Sequence, residues 1–279
     1  LMTVRLANDM GMNLVAEYAE RFGIYDKMNP VLAMSLGSGE TTVLRMVSAY
    51  AVLANGGKQI KPTLIDRIQD RYGKTIFRHE ERVCEGCNAN GWEGQEEPAI
   101  VDNREQVLDP MTAYQITSIM EGVVTRGTAA GKIKLDRPTA GKTGTTNDEK
   151  DAWFVGYTPD LVAGLYIGFD SPAPLGRGAT GGSMSAPIFN EFMQDAVAGT
   201  PPGKFRLPEG MSLIPINRKT GMYAAEGDPD TIIEAFKPGT GPADTFSVIG
   251  MDGYVAPEEI LRESPQANQA VTSGAGGLF

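Results

Sequence analysis

Five consecutive residues, Gly141-Lys142-Thr143-Gly144-Thr145, bring together a cation, two hydroxyls and two residues without side chains. Gly141 and Gly144 have nothing to hold a ligand off the backbone, so a bound molecule can lie close against the chain there. The hydroxyls of Thr143 and Thr145, with the neighbouring backbone N–H groups, suit a carboxylate or an oxyanion, and Lys142 adds positive charge. This set serves acyl transfer, and we read the stretch as one wall of such a site.

Other chemistries fit the sequence less well. G-K-T imitates the end of a phosphate-binding loop, but that motif needs a glycine five residues before its final glycine. Asp136 stands there, and the residues after Lys142 read as strand. The glycines from Gly176 to Gly182 are in the wrong order for a dinucleotide loop, and no βαβ pattern surrounds them. A Ser-His-Asp triad would need His79, which sits in the polar run R-H-E-E-R and reads as a solvated side chain; no G-x-S-x-G is present. Glu149 and Asp151 are acidic residues near a strand start and read as solvated. Cys84 and Cys87 lack two further soft ligands for zinc, so no metal is expected. They lie in a Gly/Asn/Glu-rich loop rather than before a helix, so a loop staple in an oxidising compartment is the better reading. No cofactor is implied.

The elements that must carry this wall follow from periodicity. Apolar residues from Val4 to Phe22 recur at helical spacing, broken at Gly11, with Asn13 as the expected cap of a second helix. The glycine-rich run 35–42 leads to Thr41 or Thr42, capping a helix through Ala54 that is apolar on nearly every side and is expected to be central. Thr63–Asp70 and Thr75–Arg78 read as short strands about the turn Tyr72-Gly73-Lys74. Residues 80–107 are polar and glycine-rich and read as an inserted loop. Asp109-Pro110 starts a helix that runs to about Arg126, with Met111, Ile116, Ile119, Met120 and Val123 turned inward. Residues 139–146, Ala152–Thr158 and Leu161–Phe169 form an antiparallel meander. Ser185 is the expected cap of a helix through Ala198, with Ile188, Phe189, Phe192, Met193 and Val197 as its apolar face. Beyond Gly199 the composition turns to Pro, Gly and Asp, and residues 201–279 are expected to be an irregular tail, disordered near 264–279.

Charged residues make up 22% of the chain and hydrophobic ones 41%, so most of it can fold around a core. The formal net charge of -10 leaves no domain-wide basic footprint, which argues against nucleic acid as the main partner. No run of about 18 apolar residues occurs. The first residue is Leu1, already inside a helical pattern, and the expectation is a chain cut in mid-domain.

Several stretches together resemble the transpeptidase domain of bifunctional, class A penicillin-binding proteins of the 1A type. They are G-K-T-G-T-T-N-D-x-x-D-A-W-F-V-G-Y-T-P (141–159), L-Y-I-G-F-D (165–170) and G-G-x-x-A-P-I-F-x-x-F-M (181–193). Y-A-E-R-F-G-I (18–24), M-S-L-G-S-G-E-T-T (34–42), A-N-G-G (54–57) and the long run from Asp109 to Ala129 match as well. The resemblance implies an α+β fold of the penicillin-binding and β-lactamase kind, an antiparallel sheet flanked by helices, here truncated at its N-terminus. Residues 1–200 would be the C-terminal part of that domain.

The implied reaction is D,D-transpeptidation, with carboxypeptidation as its hydrolytic variant. A serine attacks the carbonyl of a D-Ala-D-Ala peptide end, D-Ala leaves, and an amine of a neighbouring stem peptide takes the acyl group. β-Lactams acylate the same serine. Within that scheme Thr143, Gly144 and Thr145 bind substrate, the Thr145 N–H is an oxyanion donor, and Lys142 adds charge and aids proton transfer. Partners would be stem peptides of peptidoglycan glycan strands, β-lactams and other cell-wall synthesis proteins. The place would be the periplasmic face of the bacterial inner membrane, with an anchoring helix and a glycosyltransferase domain outside this chain. The match breaks at one point: no serine is followed by lysine three residues on, and no S-x-N occurs. The expectation is that the nucleophile is not in this chain. The alternatives are a non-catalytic module that binds cell-wall peptide or penicillin, and a serine β-lactamase, which the inserted loop, the T-T-N-D-E-K-D-A-W context and the extended tail disfavour.

Overall fold

Alternating small and large residues around two tight connections give a three-stranded antiparallel sheet at the centre of the molecule. We describe a computed structural model that defines residues 2–79, 83–85, 87, 91, 93–94 and 98–242. Two helices open it, α1 (Met2–Met10) and α2 (Met12–Arg21), separated at Gly11, whose φ of 85° lies in the left-handed region. Asn13 is the second residue inside α2, so Gly11 and not Asn13 occupies the cap position. Thr42 caps α3 (Val43–Ala54) by accepting from the Arg45 N–H at 3.2 Å, as its sequence position suggests. The central, all-round buried helix expected there is found only in part. Ala49, Ala51 and Val52 are buried, but Leu44 projects into solvent.

An antiparallel hairpin follows, β1 (Arg67–Gln69) and β2 (Thr75–Arg78), with every residue of both strands exposed. Within the stretch read as an inserted loop, β3 (Val83–Glu85) pairs with β4 (Ala99–Val101), and Cys84 and Cys87 are joined as a disulfide. His79 is exposed at the end of the first hairpin. Asp109 caps α4 (Pro110–Thr125), accepting from the Thr112 N–H at 2.9 Å, with proline in the first turn. The inward face of α4 is Ala113, Thr117, Met120 and Val124; Ile116 and Ile119, expected inside, lie exposed. Met120, expected inside, is buried against Ala140 and Tyr157 of the sheet.

The sheet itself runs β5 (Ala140–Thr145), β6 (Asp151–Tyr157) and β7 (Val162–Gly168), in that spatial order. One face meets α3 and α4. There Tyr157 is fully buried, its hydroxyl 2.8 Å from the Thr117 hydroxyl, and its ring stands edge-on to Tyr50. Burial pushes the Tyr50 phenol up to about 12, and the Tyr157 phenol upward too. The other face meets α5 (Ala186–Ala196), where Phe154, Phe189 and Met193 fill the core with Val124, Ala129 and Ile133. Ile188 and Phe192 of α5 are exposed, unlike the inward face expected of them.

The irregular tail expected after Gly199 contains a regular hairpin. β8 (Ser212–Asn217) pairs with β9 (Thr231–Phe236) and docks on α4. Glu234 accepts from Arg126 at 2.8 Å and Ser118 at 3.1 Å, and Gln115 donates to the Ala235 carbonyl at 3.0 Å. The segment 264–279, expected to be disordered, lies outside the described residues. Among the described residues no helix is long and apolar enough to cross a membrane.

Candidate active site

Among the described residues, β5 is paired on one side only. Thr158 N–H donates to the Leu161 carbonyl between β6 and β7, and Thr146 N–H to the Asp151 carbonyl between β5 and β6. With the observed registers and the alternation of an antiparallel ladder, Gly144 and Lys142 direct their backbone groups at Trp153 and Val155. Those of Gly141, Thr143 and Thr145 point the other way, to the outer edge of the sheet. An extended ligand alongside β5 would meet the Thr143 and Thr145 amides, the geometry required of an oxyanion donor and a peptide-binding edge.

Side chains alternate across the same strand. Lys142 and Gly144 share the face of Val155 and Trp153, towards α3. Thr143 and Thr145 share the face of Phe154, towards α5. The four residues singled out from the sequence are therefore together, but split between two faces of one edge strand. Lys142 Nζ folds along the strand and donates to the Thr143 carbonyl at 2.8 Å. A lysine ammonium has three donors, so this contact occupies one of them.

The two hydroxyls are each met by a group from a flanking segment. Gly181 N–H donates to Thr145 Oγ1 at 3.0 Å, and Thr128 Oγ1 lies 2.7 Å from Thr143 Oγ1. Gly181 must be glycine for this approach. A Cβ there would fall 2.2 Å from the Trp153 carbonyl and 2.5 Å from the Gly144 carbonyl, both backbone atoms. Gly181 opens a π-helical turn, Gly181–Ser185, that leads into α5. The expected cap, Ser185, makes no capping bond and is fully buried. Thr180 caps instead, accepting from the Ser183 N–H at 3.2 Å, while the Thr180 N–H donates to Ser183 Oγ at 2.9 Å.

A second tie holds this turn in place. Asp148 and Glu149, at φ 58° and 54°, are the positive-φ non-glycine residues among those described, and both lie in the connection from β5 to β6. Such backbone is costly for residues with a Cβ and persists where surroundings fix it. Here it brings both Glu149 carboxylate oxygens onto the Gly178 N–H, at 2.9 and 2.8 Å, while Leu175 N–H donates to the Glu149 carbonyl. Nearby, Asp151 accepts from the Tyr166 hydroxyl at 2.8 Å, and that bond raises the Tyr166 phenol. Glu149 and Asp151 are thus tethers and not the solvated acids the sequence suggested. Thr128, Glu149 and Gly181 are the members of the site that composition and spacing did not single out. Thr128 and Gly181 lie inside stretches that carried the resemblance, and their roles arise from contacts across 15 and 36 residues.

A three-stranded antiparallel sheet packed between helices agrees with what the chain is similar to. The family model described as the penicillin binding protein transpeptidase domain matches residues 1–194, and the chain belongs to that family. Its curated relatives include penicillin-binding protein 1A of Rickettsia bellii, 44% identical over 241 residues, covering 85% of this chain and 30% of that protein. Penicillin-binding protein 1A of Neisseria lactamica is 40% identical over 213 residues, covering 76% of this chain and 25% of that protein. Among solved structures, penicillin-binding protein 1A of Haemophilus influenzae superposes with a TM-score of 0.71 at 31% identity, covering 88% of this chain and 39% of that one. The chain spans about 30% of the length of the first of these relatives.

Proposed function

We propose that these residues form the substrate-anchoring wall of a peptidoglycan D,D-transpeptidase. The observation that carries this is the outer edge of β5. It turns the Thr143 and Thr145 amides outward while their hydroxyls, each engaged by a neighbour, stand beside it. The C-terminal carboxylate of a D-Ala-D-Ala stem peptide would sit against the two hydroxyls. The scissile carbonyl would lie at the Thr145 N–H, where a preorganised donor is worth about 10²–10³ in rate. Lys142 supplies positive charge at that edge and aids proton transfer. A serine oxygen forms the bond to the carbonyl carbon, the C–N bond to D-Ala breaks, and the departing amine takes the proton the serine has lost. An amine of a second stem peptide then accepts the acyl group, or water does in carboxypeptidation.

No serine of these 279 residues stands in S-x-x-K, so the attacking serine is assigned outside them. In the intact protein this domain would work beside a glycosyltransferase, on the periplasmic face of the inner membrane, with other cell-wall synthesis proteins as partners. The test is peptide mapping after labelling the intact protein with a fluorescent penicillin. The adduct is expected on a serine outside this sequence; an adduct on a serine within it overturns the assignment. The missing S-x-x-K also favours a second reading, a module that binds cell-wall peptide without chemistry. That reading predicts saturable binding of a D-Ala-D-Ala peptide by the intact protein with no covalent adduct.

A further inference from the structure

The Thr143 hydroxyl carries one hydrogen and two lone pairs, and a carboxylate offers acceptors only. At 2.7 Å, Thr128 Oγ1 and Thr143 Oγ1 share a single hydrogen. If Thr143 gave its hydrogen to Thr128, it would present only lone pairs to a carboxylate and repel it. For Thr143 to serve an anion, the shared hydrogen must come from Thr128. We propose that Thr128 is a positioning residue: its hydroxyl donates to Thr143 Oγ1 and leaves the Thr143 hydrogen aimed at the substrate carboxylate. The inference rests on the proposed transpeptidase reading.

Thr145 provides the parallel. Its Oγ1 accepts from the Gly181 N–H at 3.0 Å, which leaves its own hydrogen to donate outward. A backbone amide cannot reverse its role, so Thr145 is oriented unconditionally. Thr143 has a hydroxyl in the equivalent place, and its polarity can be set by what binds.

Thr128 is well placed for this because its backbone has little freedom. It follows α4 in a closed turn, with Ala129 N–H donating to the Val123 carbonyl at 3.1 Å and Ala130 N–H to the Gly127 carbonyl at 3.0 Å. Ala129 is fully buried in the core beside Val124 and Phe154. On the other side Gly182 closes on Thr128: a Cβ on Gly182 would fall 2.5 Å from the Thr128 carbonyl oxygen. The Arg126 side chain, two residues before, is held by Glu234 of the β8–β9 hairpin at 2.8 Å. Core, π-helical turn and hairpin thus fix the residue whose hydroxyl meets Thr143.

The test compares Thr128→Val and Thr128→Ser in the intact protein, by the second-order rate of acylation by a fluorescent penicillin and by its methyl ester. Thr128→Val is expected to slow acylation by the free acid about 10-fold, the scale of one hydrogen bond to a charged group. It should change the rate with the ester less than about 2-fold, and Thr128→Ser should restore the wild-type rate with the acid. An unchanged or faster rate for Thr128→Val with the acid means that Thr143 donates to Thr128, and overturns the proposal. Equal slowing with acid and ester means a general distortion, and overturns it too. If the wild-type protein is not acylated at all, the transpeptidase reading itself falls and the inference with it.

Discussion

Two antiparallel ladders in this molecule obey the same local rules and differ in everything else. In β5–β7 the pairing lies between two packed faces, with Phe154 0% exposed and Tyr157 0% exposed. In β1–β2 the pairing is equally regular, yet every residue is exposed, and Ile68 faces Phe77 across the ladder with no core behind them. Local hydrogen bonding alone contributes little net stability, and an isolated two-stranded hairpin is marginal in water. The proposed substrate edge has to hold its donors still, and of these two ladders it is the one buried on both faces that does so.

The comparison is sharpest when aromatic residues are deleted on each side of it. Phe154→Ala, which removes the ring packed 4.7 Å from Phe189, is expected to cost about 3–5 kcal/mol in denaturant unfolding. Phe77→Ala should cost less than about 1 kcal/mol by the same measurement; comparable losses would refute the contrast. Gly181→Ala comes next, at about 1–3 kcal/mol, because the new Cβ meets two backbone oxygens and must push the π-helical turn off β5. Its amide no longer reaches Thr145, so acylation by penicillin should fall with it. Tyr157→Phe is smaller, about 1 kcal/mol, since Thr117 keeps its bond to the Ala113 carbonyl when the phenol is lost.

The smallest effect is a pH dependence carried by α4. Burial first, and the nearby Glu234 charge second, push the Glu121 carboxyl up, against the pull of Arg126. A carboxyl raised on folding binds more protons in the folded state, so stability falls as pH rises from the ordinary glutamate value through the raised one. At the other end of α4, the hydrogen bond from Lys237 holds Asp109 low, so its contribution is lost as pH falls below the ordinary carboxylate range. Glu121→Gln should remove the decline on the alkaline side and leave the acid loss intact, read as the melting midpoint between about pH 3 and pH 7. A profile unchanged by the substitution would contradict this.

Much of the sheet was legible because its signals are local. The Thr158-Pro159-Asp160 turn, the alternation in β6 and the Asp109-Pro110 helix start all depend on neighbours in sequence. What escaped depends on contacts far along the chain. Nothing near Thr128 announces that its hydroxyl meets Thr143, and nothing near Ser185 shows that Thr180 and Ser183 cap the turn in its place. The β8–β9 hairpin was hidden for a related reason. Pro215 within β8 argues against a central strand and is tolerated because its position faces away from β9, where its carbonyl accepts from the Ala224 N–H at 3.1 Å and no donor is required of it. Its ordering comes from Glu234 and Ala235 meeting α4. On α4 and α5, Ile116, Ile119, Ile188 and Phe192 are apolar yet exposed, because hydrophobicity alone does not set burial.

The central claim is that the outer edge of β5 reads a carboxylate through two threonine hydroxyls. The most direct measurement is the acylation rate of the intact protein carrying Thr143→Val and Thr145→Val together, with a fluorescent penicillin and with its methyl ester. The predicted result is a loss of about 100-fold with the free acid and a much smaller loss with the ester. Equal losses with both would show that these hydroxyls do not bind the carboxylate.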